Sequence, residues 1–158
     1  MKHIPNLFTL LNLVFGCCAI VLILQQGISL ATYDEGTLWV MMPQAVWQSS
    51  LFIFLAAVVD FLDGFIARLL KADSEMGKQL DSLADEVSFG VAPSLIIYHF
   101  IRVGLASEAE GLDKSMLWLV PSFVLAAAAA WRLARFNLST DQQHGFKGMP
   151  TPAVGLLI

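Results

Sequence analysis

Residues 7–24 run without a charge, and Thr9 and Asn12 are the polar breaks among their aliphatic and aromatic side chains. A bilayer-spanning helix needs about 20 predominantly apolar residues, so this run predicts a first span. It is too long for a signal-peptide core. Gln25-Gln26-Gly27 follows it, with no small-residue cleavage site, so the span is read as retained. Residues 25–45 read as a loop, with Trp39 and Trp47 flanking a Met-rich patch broken by Pro43. Tryptophan favours the headgroup level, which predicts an interfacial segment. Apolar residues resume over 45–70, the second predicted span, which carries Asp60, Asp63 and Arg68 in its last third. A polar connection over 71–75 leads to a third span over 76–101, in which Pro93 predicts a kink. After a polar loop over 102–114, the fourth span covers 115–136, with Ala126 to Ala130 offering a smooth packing surface. Residues 137–150 read as a polar loop, and Thr151 begins a fifth apolar segment that stops at Ile158.

The pattern predicts an all-α polytopic transmembrane helix bundle, with four spans and the start of a fifth. Composition agrees: 57% of the 158 residues are hydrophobic and 14% charged, which excludes ordinary soluble and disordered classes. The chain is expected to form a single transmembrane catalytic domain over 1–158, lacking its C-terminal helices. No basic run suggests nucleic acid. Cys17 and Cys18 are adjacent in an apolar run, without zinc-ligand spacing, and read as small packing residues.

Lysine and arginine set the orientation. Lys2, Arg68, Lys71, Lys78, Arg132, Arg135 and Lys147 fall on one side of the predicted spans, and Arg102 and Lys114 on the other. The positive-inside rule puts the first side, with the N-terminus and the aspartates, at the cytoplasmic face.

The chemistry lies between positions 60 and 85. Asp60 and Asp63 are three residues apart, Asp81 and Asp85 four apart, so each pair shares a helix face. Two carboxylates about 5.5 Å apart repel by roughly 3 kcal/mol at an effective dielectric of about 20. Four together therefore call for cations. Carboxylate oxygens are hard ligands suited to Mg2+ or Mn2+, and a paired-metal site can clamp a phosphate. Ala56, Gly64 and Ala67 share a stripe with Asp60 and Asp63, while Gly77 and Ser88 share one with Asp81 and Asp85. Small neighbours leave room for a bulky group near the backbone. Charge alone leaves open a proton or cation pathway, or a solvated helix end. A conduction path has no need of Arg68 or of so many small residues.

The pattern D-x-x-D-G-x-x-A-R, eight residues, then G-x-x-x-D-x-x-x-D resembles the signature of the CDP-alcohol phosphotransferase family at all eight positions: Asp60, Asp63, Gly64, Ala67, Arg68, Gly77, Asp81 and Asp85. The resemblance implies a homodimer of six-helix subunits with a di-metal centre. It implies transfer of a phosphatidyl-type group from a CDP-linked lipid to an alcohol, with release of CMP. Carried over, Asp60, Asp63, Asp81 and Asp85 become metal ligands for two Mg2+ or Mn2+ ions, and Asp85 also the general base. Asp60, Gly64, Ala67, Arg68, Gly77 and Asp81 would contact the nucleotide.

Four further stretches resemble the branch of the family that uses L-serine as acceptor and CDP-diacylglycerol as donor. They are residues 4–12, 81–93, 132–137 and 145–152. The glycerophosphate-using branch usually carries proline and lysine where this chain has Ser82 and Glu86. Thr9 and Asn12, one helical turn apart, satisfy each other or a neighbouring helix, or contact the nucleotide. Arg132 and Arg135 either snorkel at the interface or bind lipid diphosphate or serine carboxylate. Lys147, in a predicted rigid turn, either shapes that turn or reaches phosphate. His99, Phe89 and Trp131 read as structural, packing or interfacial. The resemblance places the enzyme in the cell (inner) membrane among membrane lipids. Transfer to glycerol 3-phosphate or an inositol phosphate, a cation transporter, and a non-enzymatic assembly subunit are the competing readings. The transporter would need a polar path to the far side, which the apolar halves of the second and third spans lack.

Overall fold

A computed structural model of the chain describes residues 4–25, 27, 30–32, 38–40, 44–70, 74–107 and 115–138. Helix α1 covers Ile4–Leu24 and α2 covers Gln44–Leu70. Between them, β1 (Leu30–Thr32) and β2 (Leu38–Val40) pair antiparallel, with Ala31 opposite Trp39. The stretch read as an irregular loop thus contains a short hairpin, which satisfies backbone groups that an open loop leaves to solvent. Helix α3 covers Glu75–Asp85 and α4 covers Ala92–Ala106, joined without a break by a π-helical turn over Glu86–Val91. Helix α5 covers Val124–Leu138, and a 3-10 segment over Met116–Phe123 leads into it.

Four helical stretches are long and apolar enough to cross a membrane: Pro5–Leu24, Gln44–Leu70, Glu75–Ala106 and Met116–Leu138. They match the four predicted spans, with three differences at the boundaries. The third stretch continues past Arg102 to Ala106. The fourth begins as 3-10 helix around Pro121, whose ring cannot donate a backbone hydrogen bond. Asn137, read as the first residue of a loop, lies inside α5 and bonds across to α3.

The distortion expected at Pro93 takes the form of the π turn. Proline has no N–H for the carbonyl of Phe89, four residues earlier, and its ring crowds that carbonyl. The helix widens over the turn just before it, and the Ser94 hydroxyl donates to Gly90 O at 2.8 Å.

The core joins α1, α2 and the α3–α4 stretch through Ala19, Ile23, Ile53, Ala56, Phe89, Ala92 and Ile96. Six of these seven are alanine or isoleucine, and the small residues among them let helices approach closely where lipid supplies no hydrophobic drive between them. The Ser49 hydroxyl donates to Ala19 O at 3.2 Å across the α1–α2 contact. Large apolar side chains such as Phe54, Phe61, Phe65 and Trp131 face outward, as a lipid-facing surface requires. Phe89 is fully buried, as its packing role predicts, and His99 is buried. Cys17 is exposed and Cys18 half-buried, so Cys17 contributes to the outer face and not to packing.

At Gly16 an added Cβ would come within 2.9 Å of Ser88 Cα. Glycine here lets α1 lie directly against the start of the π turn. Close to that point the Ser88 hydroxyl donates to Asn12 O at 3.1 Å.

Candidate active site

The site lies where the ends of α1, α2 and α3 meet. Ser74 caps α3: its side chain accepts from the Gly77 N–H at 3.0 Å, satisfying one of the orphan donors of the first turn. That cap fixes where α3 starts, and Asp81 and Asp85 follow about two and three turns later. From α2, Asp60 and Asp63 reach the same place. Asp60, Asp63 and Asp81 each offer a carboxylate oxygen, and these oxygens lie within 4.8 Å of one another. Asp85 lies within hydrogen-bonding reach of Asp60. Asp63 and Asp85 are buried, while Asp60 and Asp81 are half-buried. The two pairs set by helical spacing therefore converge into one group of four.

The donor set is all hard oxygen and anionic, and its members sit closer than like charges tolerate without a cation. Those residues fit a divalent ion. Asp60, Asp63 and Asp81 would hold it, with Asp85 alongside.

A cleft of about 170 Å3 opens beside this group, lined by Thr9, Asp63, Gly64, Ala67, Arg68, Gly77 and Asp81, together with Pro5, Asn6, Ser74 and Lys78. Six of the eight signature positions thus line one cavity, Asp60 and Asp85 being the other two. At Gly64 nothing lies within 4 Å of where a Cβ would be, so it leaves open space for a ligand. At Gly77 a Cβ would come 2.9 Å from Ser74 Oγ and 3.2 Å from Asn6 Oδ1, so that glycine serves the cap and the approach of α1.

Thr9 and Asn12 do not pair with each other; they meet neighbouring helices. The Thr9 hydroxyl donates to Asp63 Oδ2 at 2.8 Å, and Asn12 Nδ2 donates to Asp85 Oδ1 at 3.5 Å. Thr9 also faces the cleft, whereas Asn12 is fully buried and outside its lining.

Arg132 and Arg135 stand on α5, beyond the α1–α2–α3 walls of the cleft among the described residues. Arg132 is half-buried and Arg135 exposed. Lys147, the turn over 145–152 and the apolar segment from Thr151 lie outside the described residues. Pro5, Asn6, Ser74 and Lys78 were not singled out as site residues from the sequence. Ser74, three residues before Gly77 at a helix start, carries the signal of an N-cap, and Lys78 adjoins a signature glycine. Ser82, on α3 between Asp81 and Asp85, accepts from Asn137 Nδ2 at 3.0 Å. Two of the stretches noted for their family resemblance are thereby in direct contact.

The profile of the CDP-alcohol phosphatidyltransferase family matches residues 2–158. Among curated relatives, the CDP-diacylglycerol–serine O-phosphatidyltransferase of Bacillus subtilis is 32% identical over 158 residues, covering 100% of this chain and 74% of that protein. The Helicobacter pylori J99 protein of the same name is 34% identical over 156 residues, covering 98% of this chain and 54% of the relative. The Methanocaldococcus jannaschii protein of that name is 37% identical over 106 residues, 67% of this chain and 46% of the relative. The chain thus spans about half the length of the Helicobacter relative and three quarters of the Bacillus one. With four membrane-crossing stretches and the complete signature gathered about one cleft, the chain is a multi-pass membrane protein belonging to the CDP-alcohol phosphatidyltransferase family.

Proposed function

We propose that this chain is the catalytic domain of an enzyme that transfers the phosphatidyl group from CDP-diacylglycerol to the hydroxyl of L-serine, giving phosphatidylserine and CMP. The observation that carries the reading is the convergence of Asp60, Asp63 and Asp81 within 4.8 Å, beside a cleft lined by Gly64, Ala67, Arg68 and Gly77 of the signature. The names of the relatives support serine as acceptor. The excess of Lys and Arg beside the signature supports an active site at the cytoplasmic face of the cell membrane.

In this reading Gly64, Ala67 and Gly77 form the floor on which the cytidine rests, and Arg68 and Lys78 face its phosphates. The cleft is small for a whole lipid-linked nucleotide, so the acyl chains lie along the outer face of the bundle. Asp85 accepts the proton of the serine hydroxyl as its oxygen attacks the phosphorus bearing the diacylglycerol. A new P–O bond forms to serine, the bond from that phosphorus to the oxygen bridging to CMP breaks, and CMP leaves with the bridging oxygen. Two Mg2+ or Mn2+ ions, held by the four aspartates, would supply charge neutralisation at the diphosphate. Arg132, Arg135 and Lys147 are candidates for the serine carboxylate or lipid phosphate, and a homodimer is the expected assembly.

Purified protein supplied with CDP-diacylglycerol and Mn2+ or Mg2+ should release CMP when L-serine is added. Release driven by glycerol 3-phosphate or an inositol phosphate, and not by serine, would overturn the acceptor while keeping the chemistry. Cation flux through reconstituted vesicles without any CMP release would overturn both.

A further inference from the structure

Helix α1 carries no charge from Ile4 to Leu24, yet it supplies both neutral side chains hydrogen-bonded to the aspartates. Thr9 is 4% exposed, and its hydroxyl is 2.8 Å from Asp63 Oδ2 and 3.2 Å from Pro5 O. A hydroxyl has one hydrogen to give, and the shorter bond to a carboxylate is the stronger claim on it. One turn on, Asn12 is 0% exposed and turns Nδ2 toward Asp85 Oδ1 at 3.5 Å, while its own Oδ1 has no partner. Among the described residues nothing else binds that amide side chain, so its orientation answers to Asp85. The backbone beneath it is fixed by the Ser88 hydroxyl, which donates to Asn12 O at 3.1 Å, and by the tight seat of Gly16 against Ser88.

We propose that Thr9 and Asn12 are positioning residues, which hold the carboxylates of Asp63 and Asp85 from behind and leave the second oxygen of each for cation or proton. Asn12 is buried and outside the cleft lining, so its amide is turned to Asp85 and not to the open cleft. Thr9 borders the cleft, but its hydrogen is committed to Asp63. Neutral donors suit this task, because a lysine or arginine here would compete with the cation for the same oxygens. The inference rests on reading Asp63 as a metal ligand and Asp85 as the proton acceptor.

The test uses the full chain in detergent or nanodiscs, with thermal melting and CMP binding as checks on folding. Thr9→Val keeps the shape and removes the donor, and should weaken Mn2+ affinity, read by electron paramagnetic resonance, by about 10–100-fold. Thr9→Ser restores the hydroxyl and should recover affinity close to wild type. Asn12→Ala should lower kcat with serine by about 10–100-fold while KM for CDP-diacylglycerol stays near wild type. Wild-type Mn2+ affinity in Thr9→Val, or failure of Thr9→Ser to recover it, overturns the role of Thr9. An Asn12→Ala enzyme with unchanged kcat, or one whose loss lies in KM, overturns the role of Asn12. If Asn12→Ala does not fold, the Thr9 pair decides the proposal. If the wild-type protein transfers nothing to serine, the proposed function fails, while the Mn2+ measurements on Thr9 still decide this one.

Discussion

Two walls of the site differ in how they do their work. Helices α2 and α3 bring every charge: four aspartates at spacings of three and four, with Arg68 and Lys78 at the rim. Helix α1 brings none, and meets those charges with a hydroxyl and an amide. The charged wall can be read from one segment, because helical spacing alone puts each pair on one face. The neutral wall acquires meaning only when the chain has folded. The bond from Thr9 to Asp63 crosses 54 positions and that from Asn12 to Asp85 crosses 73, and no spacing rule links them. Chemistry is concentrated where the sequence is most patterned, and its orientation is supplied from where the sequence is plainest.

The sharpest way to break this division is to strip the charged wall. Chelation of divalent ions should abolish CMP release, and added Mn2+ or Mg2+ should restore it. Activity that persists in chelator would mean the aspartates act without a metal. Asp85→Asn keeps shape and removes the proposed proton acceptor; a fall in kcat of about 100–10,000-fold is expected, with CMP binding largely spared. An active Asp85→Asn enzyme would move the base elsewhere and leave Asp85 as a ligand at most.

The same contrast explains what was legible beforehand. The four spans were visible as apolar runs, and the signature identified the cleft-lining Gly64, Ala67 and Gly77 before any geometry. Pro93 announced a distortion, but its form as a π turn over Glu86–Val91 depends on how the chain accommodates the freed Phe89 carbonyl. Asn137 read as loop because it is polar next to a polar stretch. In the fold its amide has a partner on α3, so the helix runs on through Leu138. The hairpin at Leu30–Thr32 and Leu38–Val40 has five residues between its strands, with Gly36 among them, a weaker sequence signal than a two-residue turn.

Glycines on the two walls offer a smaller and more discriminating break. Gly16→Ala would push a methyl to within 2.9 Å of Ser88 Cα, a backbone-borne atom that cannot swing aside. Overpacking of this kind costs about 1–3 kcal/mol, so the melting temperature should fall. Gly64→Ala meets nothing within 4 Å, so melting should be unchanged while CMP binding weakens as the methyl enters the cleft. If instead Gly64→Ala lowers melting and Gly16→Ala lowers CMP binding, the roles of support and ligand contact are reversed between α1 and α2.

The smallest expected effect concerns α5, which adds no lining to the cleft among the described residues. Its sole buried side chain along Val124–Leu138 is Ala129, so apolar burial does little to fix its register. Asn137 supplies a polar link, donating to Ser82 Oγ at 3.0 Å while the Ser82 hydroxyl lies 3.0 Å from Lys78 O and 3.4 Å from Asn137 Oδ1. Both partners of that link sit at the surface of the bundle, where water competes, so a net contribution of about 0.5–1.5 kcal/mol is an upper range. Asn137→Ala should therefore lower melting only slightly. Its effect on turnover should nevertheless exceed its effect on melting, because Ser82 stands directly between Asp81 and Asp85. Equal and small losses in Asn137→Ala and Ser82→Ala, with a double variant no worse than either, would show that one shared bond couples α5 to the catalytic turn. Additive losses would show that Ser82 and Asn137 act through independent contacts, with no single shared bond between α5 and α3.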